Sequence, residues 1–554
     1  MEIAILNLTR LGDLVQTSPV LAGLHKRHPE ARIHLVVKRR FRAAAELLPG
    51  VDVLHEIDAD GLCHTLMDPA TSFLERFAAV RSVVDGLCEH PFDLALNFTH
   101  SPVSAALLSL LDVREIRGFT LDRSGQRRVA DPWLGHVATV LGARRLSQLN
   151  LVDLYLGAAG LIGSGQRLSL RVARDGSEWA RQRLDGAGPW LAVQPGASQG
   201  LRAWPIDRFA ATLREATRRT PGLRIVLLGV RGEAARARAL QAAGRDLEIT
   251  DLVGETSLEA LVGVLERVDL LLTGDTGTMH LAAAVGTPTL SLFVAHAWPA
   301  ETAPYAEGHW VVHSRIACAP CQHLVDCGHP ACHDDLPPAW LGRIIECILA
   351  RRSVSKVPDP PRATLLRTAF DPDGVHEVVP VQRRVAEPFD LMSLALRAAF
   401  LADLAGTPVD PERIWAAAQE RFGVAPEDWR ATLPPDLGST LSELSQLGSR
   451  GSALSRALER AGTRAPELRV LGARLREVDR ALAEQARREP LVAPLVTSLE
   501  LELQRLPDDP GSDLVQLAQL AGTRYAALQR RSERIRSQIH GPGHSPGPAR
   551  GDLA

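Results

Sequence analysis

Apolar runs alternate with amphipathic segments along the first 350 residues, and this alternation constrains the fold more than any other feature of the chain. The runs at residues 3–8, 33–37 and 94–97 are mainly apolar, and the segment 14–27 between the first two has helical spacing. A continuous apolar run predicts a strand that is buried on both faces, as in a parallel sheet covered by helices. The chain is therefore predicted to have an α/β fold.

The alternation starts again near residue 190. Apolar runs at residues 190–194, 225–229, 268–272 and 289–293 predict the strands of a second sheet, with helices between them. A polar, glycine-containing stretch at residues 171–189 separates the two patterns and predicts a boundary. We therefore expect two lobes, at residues 1–175 and 176–350.

The pattern changes after residue 350. Residues 351–385 are rich in Pro and Asp, which predicts a linker or a small hairpin. Residues 386–540 are predicted to be helical, and one helix stripe carries Leu468, Leu471, Leu475, Val478 and Leu482. That stripe could be buried in a bundle within the chain, or it could bind a partner or a second copy. The Gly- and Pro-rich residues 541–554 are predicted to be a disordered tail.

The bulk properties narrow the classes of partner. The chain has 554 residues and a formal net charge of −2, which provides no overall field to attract nucleic acid, so no nucleic-acid partner is expected. The start of the chain lacks the pattern of a secretory signal, so we expect a cytoplasmic protein. No stretch approaches the roughly 20 apolar residues that span a bilayer, so any membrane association is expected to be peripheral, at the inner face.

The first motif with chemical potential runs from Thr9 to Asp13, directly after the first predicted strand. A helix is predicted to begin near Leu14. Unpaired backbone N–H groups and the positive end of the helix dipole favour anions there and help a carboxylate to stay ionised. Asp13 is therefore either a helix cap or a candidate reactive carboxylate.

The second motif follows the first strand of the second lobe, where residues 194–198 read Gln-Pro-Gly-Ala-Ser. Gly196 permits close approach of the backbone, and Ser198 can donate a hydrogen bond to a phosphate oxygen. Arg202, which precedes an Ala-Trp-Pro sequence, can neutralise that phosphate through two parallel hydrogen bonds. The loop predicts an anion site only in combination with other motifs.

The third motif, residues 273–280, reads Thr-Gly-Asp-Thr-Gly-Thr-Met-His and lies between an apolar strand and an Ala-rich helix predicted over residues 281–285. The backbone N–H groups of Thr276 and Gly277 would point from the helix start at a pyrophosphate. His280 is either a pocket residue or a core histidine, and the adjoining turn favours the pocket. This motif predicts that the chain binds the phosphates of a nucleotide.

Taken together, the three motifs resemble those of glycosyltransferase family 9, the ADP-heptose heptosyltransferases of the lipopolysaccharide inner core. The resemblance covers residues 1–349 and includes the Thr-Ser-Pro at 17–19 and the Gly-Thr-Pro at 286–288. It implies a GT-B fold, in which two Rossmann-like lobes face a cleft. It also implies that the C-terminal lobe holds most of the nucleotide-sugar donor and that the N-terminal lobe holds the acceptor.

The resemblance assigns roles by position. Asp13 matches the general base that deprotonates the acceptor hydroxyl as it attacks the anomeric carbon with inversion. Arg202, where many relatives have lysine, is expected to stabilise the departing nucleoside diphosphate. The positions that match the donor site are Ser198, Glu233, Asp275, Thr276, Gly277 and His280, and residues 252–254 are expected to line the base. Because Arg202 and the N–H groups neutralise the leaving group, no cofactor or divalent metal is expected to be required for transfer.

Four cations, Lys38, Arg39, Arg40 and Arg42, follow the second predicted strand, at the edge where an acceptor should approach. They could bind acidic groups of the acceptor, such as phosphates or sugar carboxylates. A solvated basic loop is the alternative.

Four cysteines, Cys318, Cys321, Cys327 and Cys332, fall in one short segment, with His323, His329 and His333 between or beside them. Thiolates at this spacing could form a tetrahedral zinc or iron site. Reduced, packed thiols are the alternative. Similar loops occur in some members of the family that the chain resembles, and the position of this one favours a structural role over catalysis.

The sequence as a whole predicts an inverting glycosyltransferase that moves a heptose, or a related sugar, from a nucleotide-sugar donor such as ADP-heptose. The predicted acceptor is a lipopolysaccharide core or another glycan or glycolipid. Two alternatives stay open: a protein O-heptosyltransferase, and a non-catalytic scaffold that binds sugar nucleotides and recruits partners through its C-terminal helices.

Overall fold

The computed structural model describes residues 1–87, 91–122, 124–197, 200–322, 327–328, 330–461, 464–504, 506 and 513–539. The side chains of residues 430 and 465 are excepted. The chain divides into two compact units. The two-lobed unit contains residues 1–120 and 149–382, and the helical unit contains residues 121–148 together with the described residues from 383 onward. The predicted tail at 541–554 lies outside the described residues.

The N-terminal lobe of the two-lobed unit is built on parallel strands. Its elements are β1 (Glu2–Asn7), α1 (Leu11–Val15), α2 (Ser18–Arg27), β2 (Arg32–Lys38), α3 (Arg42–Glu46), β3 (Val53–Ile57), α4 (Ala59–Met67), α5 (Phe73–Asp85), β4 (Phe92–Asn97), α6 (Pro102–Ser109) and β5 (Val113–Leu121). The strands lie in the order β3-β2-β1-β4-β5, with Ile3 of β1 level with Ile33 and Leu94 of its neighbours. Residues 121–148, in the helical unit, contain β6 (Arg127–Val129) and α7 (Pro132–Val140). The two-lobed unit resumes with α8 (Leu151–Ala158).

The C-terminal lobe repeats this plan. Its elements are α9 (Arg174–Arg183), β7 (Trp190–Gln194), α10 (Ile206–Arg219), β8 (Arg224–Leu227), α11 (Ala234–Ala243), β9 (Ile249–Asp251), α12 (Leu258–Arg267), β10 (Leu270–Gly274), α13 (Gly277–Ala284), β11 (Thr289–Phe293), α14 (Pro299–Thr302), β12 (Trp310–Ser314), α15 (Pro338–Leu349), β13 (Ala363–Phe370) and β14 (His376–Pro380). The parallel strands follow the order β9-β8-β7-β10-β11-β12, and β13 and β14 add an antiparallel hairpin at the edge. Residues 351–385 thus contain a hairpin that extends the sheet.

The apolar runs explain where ligands can bind. Every residue of β7, β10 and β11 is buried, as expected for strands that helices cover on both faces. The strand order of each lobe reverses beside its first strand, between β1 and β4 and between β7 and β10. In sheets of this kind, ligands bind in the crevice at the carboxyl ends of the strands next to such a reversal. The three motifs follow β1, β7 and β10, so the topology brings them to these crevices.

One local prediction differs from the structure. The helix expected from residue 14 to residue 27 is divided into α1 and α2, because Pro19 has no backbone N–H and fits only in the first turn of a helix. The predicted boundary stretch, residues 171–189, contains the helix α9. That helix packs on α12, where Gly176 lies so close that an added Cβ would be 2.1 Å from the carbonyl oxygen of Glu259.

The helical unit has a core of its own. Besides α7 its helices are α16 (Pro388–Leu404), α17 (Pro411–Phe422), α18 (Trp429–Thr432), α19 (Leu437–Ala461), α20 (Ala465–Arg488), α21 (Ala493–Gln504) and α22 (Leu514–Ile539). Val478 and Leu482 of the predicted stripe are buried in this core beside Tyr525. The C-terminal part of the stripe therefore packs within the chain, and an oligomer or partner contact through these helices stays a prediction. Among the helices of the described ranges, none combines the length and the apolar character that crossing a bilayer requires.

Candidate active site

A cavity of about 760 Å³ lies between the two lobes of the two-lobed unit. Its walls are the loops that follow β1, β2, β7, β8 and β10, together with the start of α12. The predicted site residues that line it are Asp13, Arg40, Arg202, Glu233, Asp275, Thr276, Gly277 and His280. Ser198 lies outside the described residues. The structure thus brings residues of all three motifs to one space.

Asp13 faces this cavity from the first turn of α1. Its Oδ2 accepts a hydrogen bond from the backbone N–H of Arg10 at 3.3 Å, so it also caps the helix. Burial raises the pKa of Asp13 above its ordinary value, and the carboxylate of Asp275 acts in the same direction. Hydrogen bonds from Thr9 and Arg10 and the positive charge of Arg10 oppose that rise. A carboxylate that is partly shielded from water and holds protons more tightly suits a general base.

Arg202 and Asp275 form an ion pair on the opposite wall. Nη1 of Arg202 lies 2.7 Å from Oδ2 of Asp275 and 3.1 Å from its carbonyl oxygen. Their side chains are only 8% and 13% exposed, so each charge depends on the other for its stabilisation. The two residues follow β7 and β10, the neighbouring strands at the order reversal. The pair therefore places a guanidinium where an anionic ligand would enter the crevice.

A polar network at the end of β7 connects the second motif to the third. Oε1 of Gln194 accepts hydrogen bonds from Oγ1 of Thr276 at 3.0 Å and from Oγ1 of Thr273 at 3.4 Å. Thr276 is the N-cap of α13, and the first-turn N–H groups of a helix lack acceptors within that helix. No role was predicted for Gln194, although it begins the second motif. Its signal was a polar residue at the carboxyl end of a buried apolar strand.

His280 is both a buried residue and a cavity residue. It is 4% exposed, and burial lowers its pKa to about 4, so the imidazole is neutral at pH 7. Its ring lies against Gly12, where an added Cβ would be 2.8 Å from Cδ2 of His280 and 3.4 Å from Cα of Gly277. The absence of side chains at Gly12 and Gly277 therefore lets α1 and α13 of the two lobes meet.

Gly12→Val is expected to force these helices apart. Overpacking a tight contact costs about 1–3 kcal/mol, and the displaced lobes should lower turnover at least tenfold by separating Asp13 from the opposite wall. Urea unfolding and steady-state turnover measure the two effects. Gly142→Val is the matched control, since no described atom lies within 4 Å of its added Cβ and it does not line the cavity. A Gly12→Val enzyme with wild-type turnover would contradict the role of this contact.

Glu233 is held beneath the turn that follows β7. Its Oε2 accepts a hydrogen bond from the backbone N–H of Val230 at 3.0 Å. An added Cβ on Gly196 would lie 1.8 Å from Oε1 of Glu233, and one on Gly229 would lie 2.7 Å from Oε2. These two glycines therefore make room for the carboxylate at the cavity wall, where it can accept hydrogen bonds from hydroxyl groups.

Comparison with known proteins points to one family. Residues 80–330, somewhat less than half of the chain, match the sequence model of glycosyltransferase family 9 (heptosyltransferase). The chain resembles this family. The lipopolysaccharide core heptosyltransferase OpsX of Haemophilus influenzae is 24% identical over 315 residues, which cover 55% of this chain and 82% of that protein. Lipopolysaccharide heptosyltransferase 3 of Escherichia coli is 26% identical over 294 residues, which cover 51% of this chain and 79% of that protein.

A solved structure of a family 9 glycosyltransferase from Veillonella parvula matches 63% of this chain and 97% of that chain, at 17% identity and a TM-score of 0.49. In the present chain, two Rossmann-like lobes face the cavity, which confirms the predicted GT-B fold. It also carries a helical unit. The chain is a glycosyltransferase, as predicted.

The predicted basic cluster of this glycosyltransferase divides into two parts. Only Arg40 lines the cavity, and it lies 3.3 Å from Asp60. The other three cations form ion pairs, measured from side-chain nitrogen to carboxylate oxygen. Lys38 lies 3.0 Å from Asp60, and Arg39 lies 3.4 Å from Asp58. Arg42 lies 2.8 Å from Glu46 and 3.2 Å from Glu56. Sequence analysis missed two further cavity cations, Arg10 and Arg231, although both follow strands at their carboxyl ends.

None of the described residues of the cysteine segment lines the cavity. Cys332 is 6% exposed, and burial raises the pKa of its thiol to about 11, with a smaller contribution from the other three cysteines. Within the described ranges, no group of three or more His, Cys, Asp or Glu residues is placed to hold a metal ion. His323 and His329 lie outside those ranges. A zinc or iron site stays a prediction.

Proposed function

We propose that this glycosyltransferase moves a heptose, or a closely related sugar, from a nucleotide-sugar donor, ADP-heptose, to a lipopolysaccharide core or another glycan acceptor. One observation carries the proposal. Asp13 from the N-terminal lobe and the Arg202–Asp275 pair from the C-terminal lobe line the same cavity. A basic carboxylate opposite an anion-binding wall is what direct transfer from a sugar diphosphate requires.

The C-terminal wall suits a nucleoside diphosphate. Arg202 supplies a positive charge, and the start of α13 supplies backbone N–H groups and the positive end of a helix dipole. Glu233 is placed to accept hydrogen bonds from ribose hydroxyls. Beyond it, Val230, Leu258 and Leu261 give the cavity an apolar part that can cover the face of a base. The wall therefore offers a separate contact for each part of the donor.

The chemistry follows from the opposition of the two walls. In the proposed step, Asp13 takes the proton of an acceptor hydroxyl while its oxygen forms a bond to the anomeric carbon. The bond between that carbon and the phosphate oxygen breaks, and its electron pair goes to the nucleoside diphosphate. Arg202 and the N–H groups of α13 stabilise the new negative charge. Because base and leaving group are on opposite walls, a single displacement inverts the anomeric centre.

The identity of donor and acceptor draws support from two sources. The curated relatives described above are named as lipopolysaccharide heptosyltransferases. On the N-terminal side, Arg10 and Arg40 line the cavity, and guanidinium groups there favour an acceptor that carries phosphate or carboxylate groups. An acidic inner-core glycan has this chemistry.

The test is turnover of defined donors. We expect the full chain to release ADP from ADP-heptose when a heptose-deficient lipopolysaccharide core is present, and NMR of the product should show an inverted anomeric centre. Release should continue with a chelator present, because the proposed charge stabilisation involves no metal. A preference for ADP-glucose or a UDP-sugar would overturn the donor assignment. Transfer to a protein but not to the glycan would favour the protein heptosyltransferase alternative, and donor binding without any transfer would favour the scaffold.

A further inference from the structure

The end of the four-cysteine segment contacts the loop that carries Arg202. This segment, residues 318–335, ends in a short 3-10 turn from Ala331 to His333. The loop, residues 200–204, contains a 3-10 turn from Gly200 to Arg202. Cys332 at 6% exposure and Trp204 at 2% exposure belong to the same hydrophobic core. The two turns are therefore packed together although about 130 residues separate them.

His333 makes the decisive contacts, because it is bonded to the backbone of Leu201 before Arg202 and to the indole side chain of Trp204 after it. Its Nε2 lies 2.9 Å from the carbonyl oxygen of Leu201, and its own carbonyl oxygen accepts a hydrogen bond from Nε1 of Trp204 at 3.0 Å. A carbonyl oxygen can only accept, so Nε2 of His333 is the donor. The side chain is 5% exposed, so this hydrogen bond is shielded from water.

Further contacts hold this loop and the nearby residue Pro195. Nε of Arg236 donates to the carbonyl oxygen of Pro195 at 2.7 Å, and Nη2 donates to the carbonyl oxygen of Trp204. Arg208, on the helix that follows the loop, pairs with Asp334 next to His333. The loop is therefore fixed at several points, and the guanidinium of Arg202 extends from a backbone that has little freedom to shift.

We propose that His333 is a positioning residue that aims Arg202 at the diphosphate of the donor. The inference rests on the proposed function, in which Arg202 stabilises the leaving group. Loss of the Nε2 donor frees the carbonyl of Leu201, directly beside Arg202, while Trp204 stays bonded to the backbone of residue 333. The loss of this bond should therefore weaken nucleotide binding by displacing Arg202. This contact also connects the cysteine segment to the donor site.

The experiment measures the dissociation constant for ADP by calorimetry on the full chain, together with donor KM and kcat. His333→Leu keeps the volume but removes the donor, and it is expected to weaken ADP binding about tenfold. His333→Gln places an amide N–H near the position of Nε2 and is expected to restore binding to within threefold. His25→Leu is the matched control, because His25 makes the same kind of bond, from Nε2 to the carbonyl oxygen of Gly50 at 2.9 Å.

A double-mutant cycle separates positioning from general destabilisation. In an Arg202→Gln background, His333→Leu is expected to change ADP binding by less than twofold, because the residue that it positions is gone. An equal tenfold effect in that background would overturn the inference, as would wild-type binding by His333→Leu. Failure of the wild-type chain to bind ADP would instead count against the proposed donor, so the two failures are distinguishable.

Discussion

Asp13→Asn is expected to lower kcat by about 10³-fold, within the roughly 10²–10⁴-fold range that a positioned general base contributes. Asparagine has nearly the same shape and can still accept the hydrogen bond from the N–H of Arg10, but it cannot take a proton at neutral pH. ADP binding should change less than threefold, since the donor wall is intact. Steady-state kinetics and calorimetry on the same preparation measure both quantities.

The pH dependence gives an independent check on Asp13. Burial raises its pKa above the ordinary 3.8, and the base must be ionised to act. The wild-type kcat is therefore expected to fall as pH is lowered through a pKa above 3.8, and Asp13→Asn should lack that limb. If the rate of the variant kept the same acidic limb, another group would be the base.

Asp13→Asn should lower kcat without lowering the free energy of unfolding. An acid whose pKa is raised in the folded state destabilises that state when ionised, and this penalty is absent below the unfolded pKa and complete above the folded one. At pH 7, Asp13→Asn should therefore unfold at the same urea concentration as wild type or at a higher one. Asp85→Asn, on an exposed i,i+4 pair with Arg81, is the control for an ordinary carboxylate. An inactive but stable variant excludes misfolding as the cause.

Arg202→Gln is the second large effect. Loss of its charge is expected to lower kcat/KM for the donor by about 10²–10³-fold, or about 2.7–4 kcal/mol, as for removal of one group that stabilises developing charge. It also leaves the carboxylate of Asp275 without the cation 2.7 Å away, so the free energy of unfolding should fall. Donor-dependent turnover and urea unfolding measure the two losses.

Arg202→Lys discriminates charge from geometry. Lysine retains the positive charge but not the planar fork, so kcat/KM should lie between the values for wild type and Arg202→Gln. Arg214→Gln is the control on the same lobe, because Arg214 pairs with Asp246 on an exposed surface away from the cavity. Unchanged donor kinetics in Arg202→Gln would remove this residue from the proposed mechanism.

Local signals predicted the strands well and the polar helices less well. The strands at residues 190–194 and 289–293 have the predicted bounds, and every residue in them is buried. By contrast, α9 is mostly polar and exposes all but a narrow face, on which Ala180 packs against α12. A helix that depends on so few buried positions has little periodic signal in its sequence.

The motifs predicted only some of the residues of the candidate site. Asp13, Arg202 and Asp275 stood out because each follows a strand and a turn, and the topology of parallel sheets brings such turns to one edge. Arg231 follows the same rule but lacked a motif around it, and Gln194 begins the second motif but had no predicted role. Lys38, Arg39 and Arg42 were conspicuous as a basic run, yet their acidic neighbours come from other elements of the lobe and could not be paired from the sequence.

By itself, the sequence determined the two α/β lobes, the helical C-terminal region and the three turn motifs, because apolar runs and turn residues act over a few positions. Only the tertiary structure decided which charges meet. Arg202 pairs with Asp275 across 73 residues, and His333 reaches Leu201 across 132. Contacts at such separations depend on how the strands are ordered and how closely the helices pack. The close approach of Gly12 to Gly277, where the two lobes touch, likewise appears only in the tertiary structure.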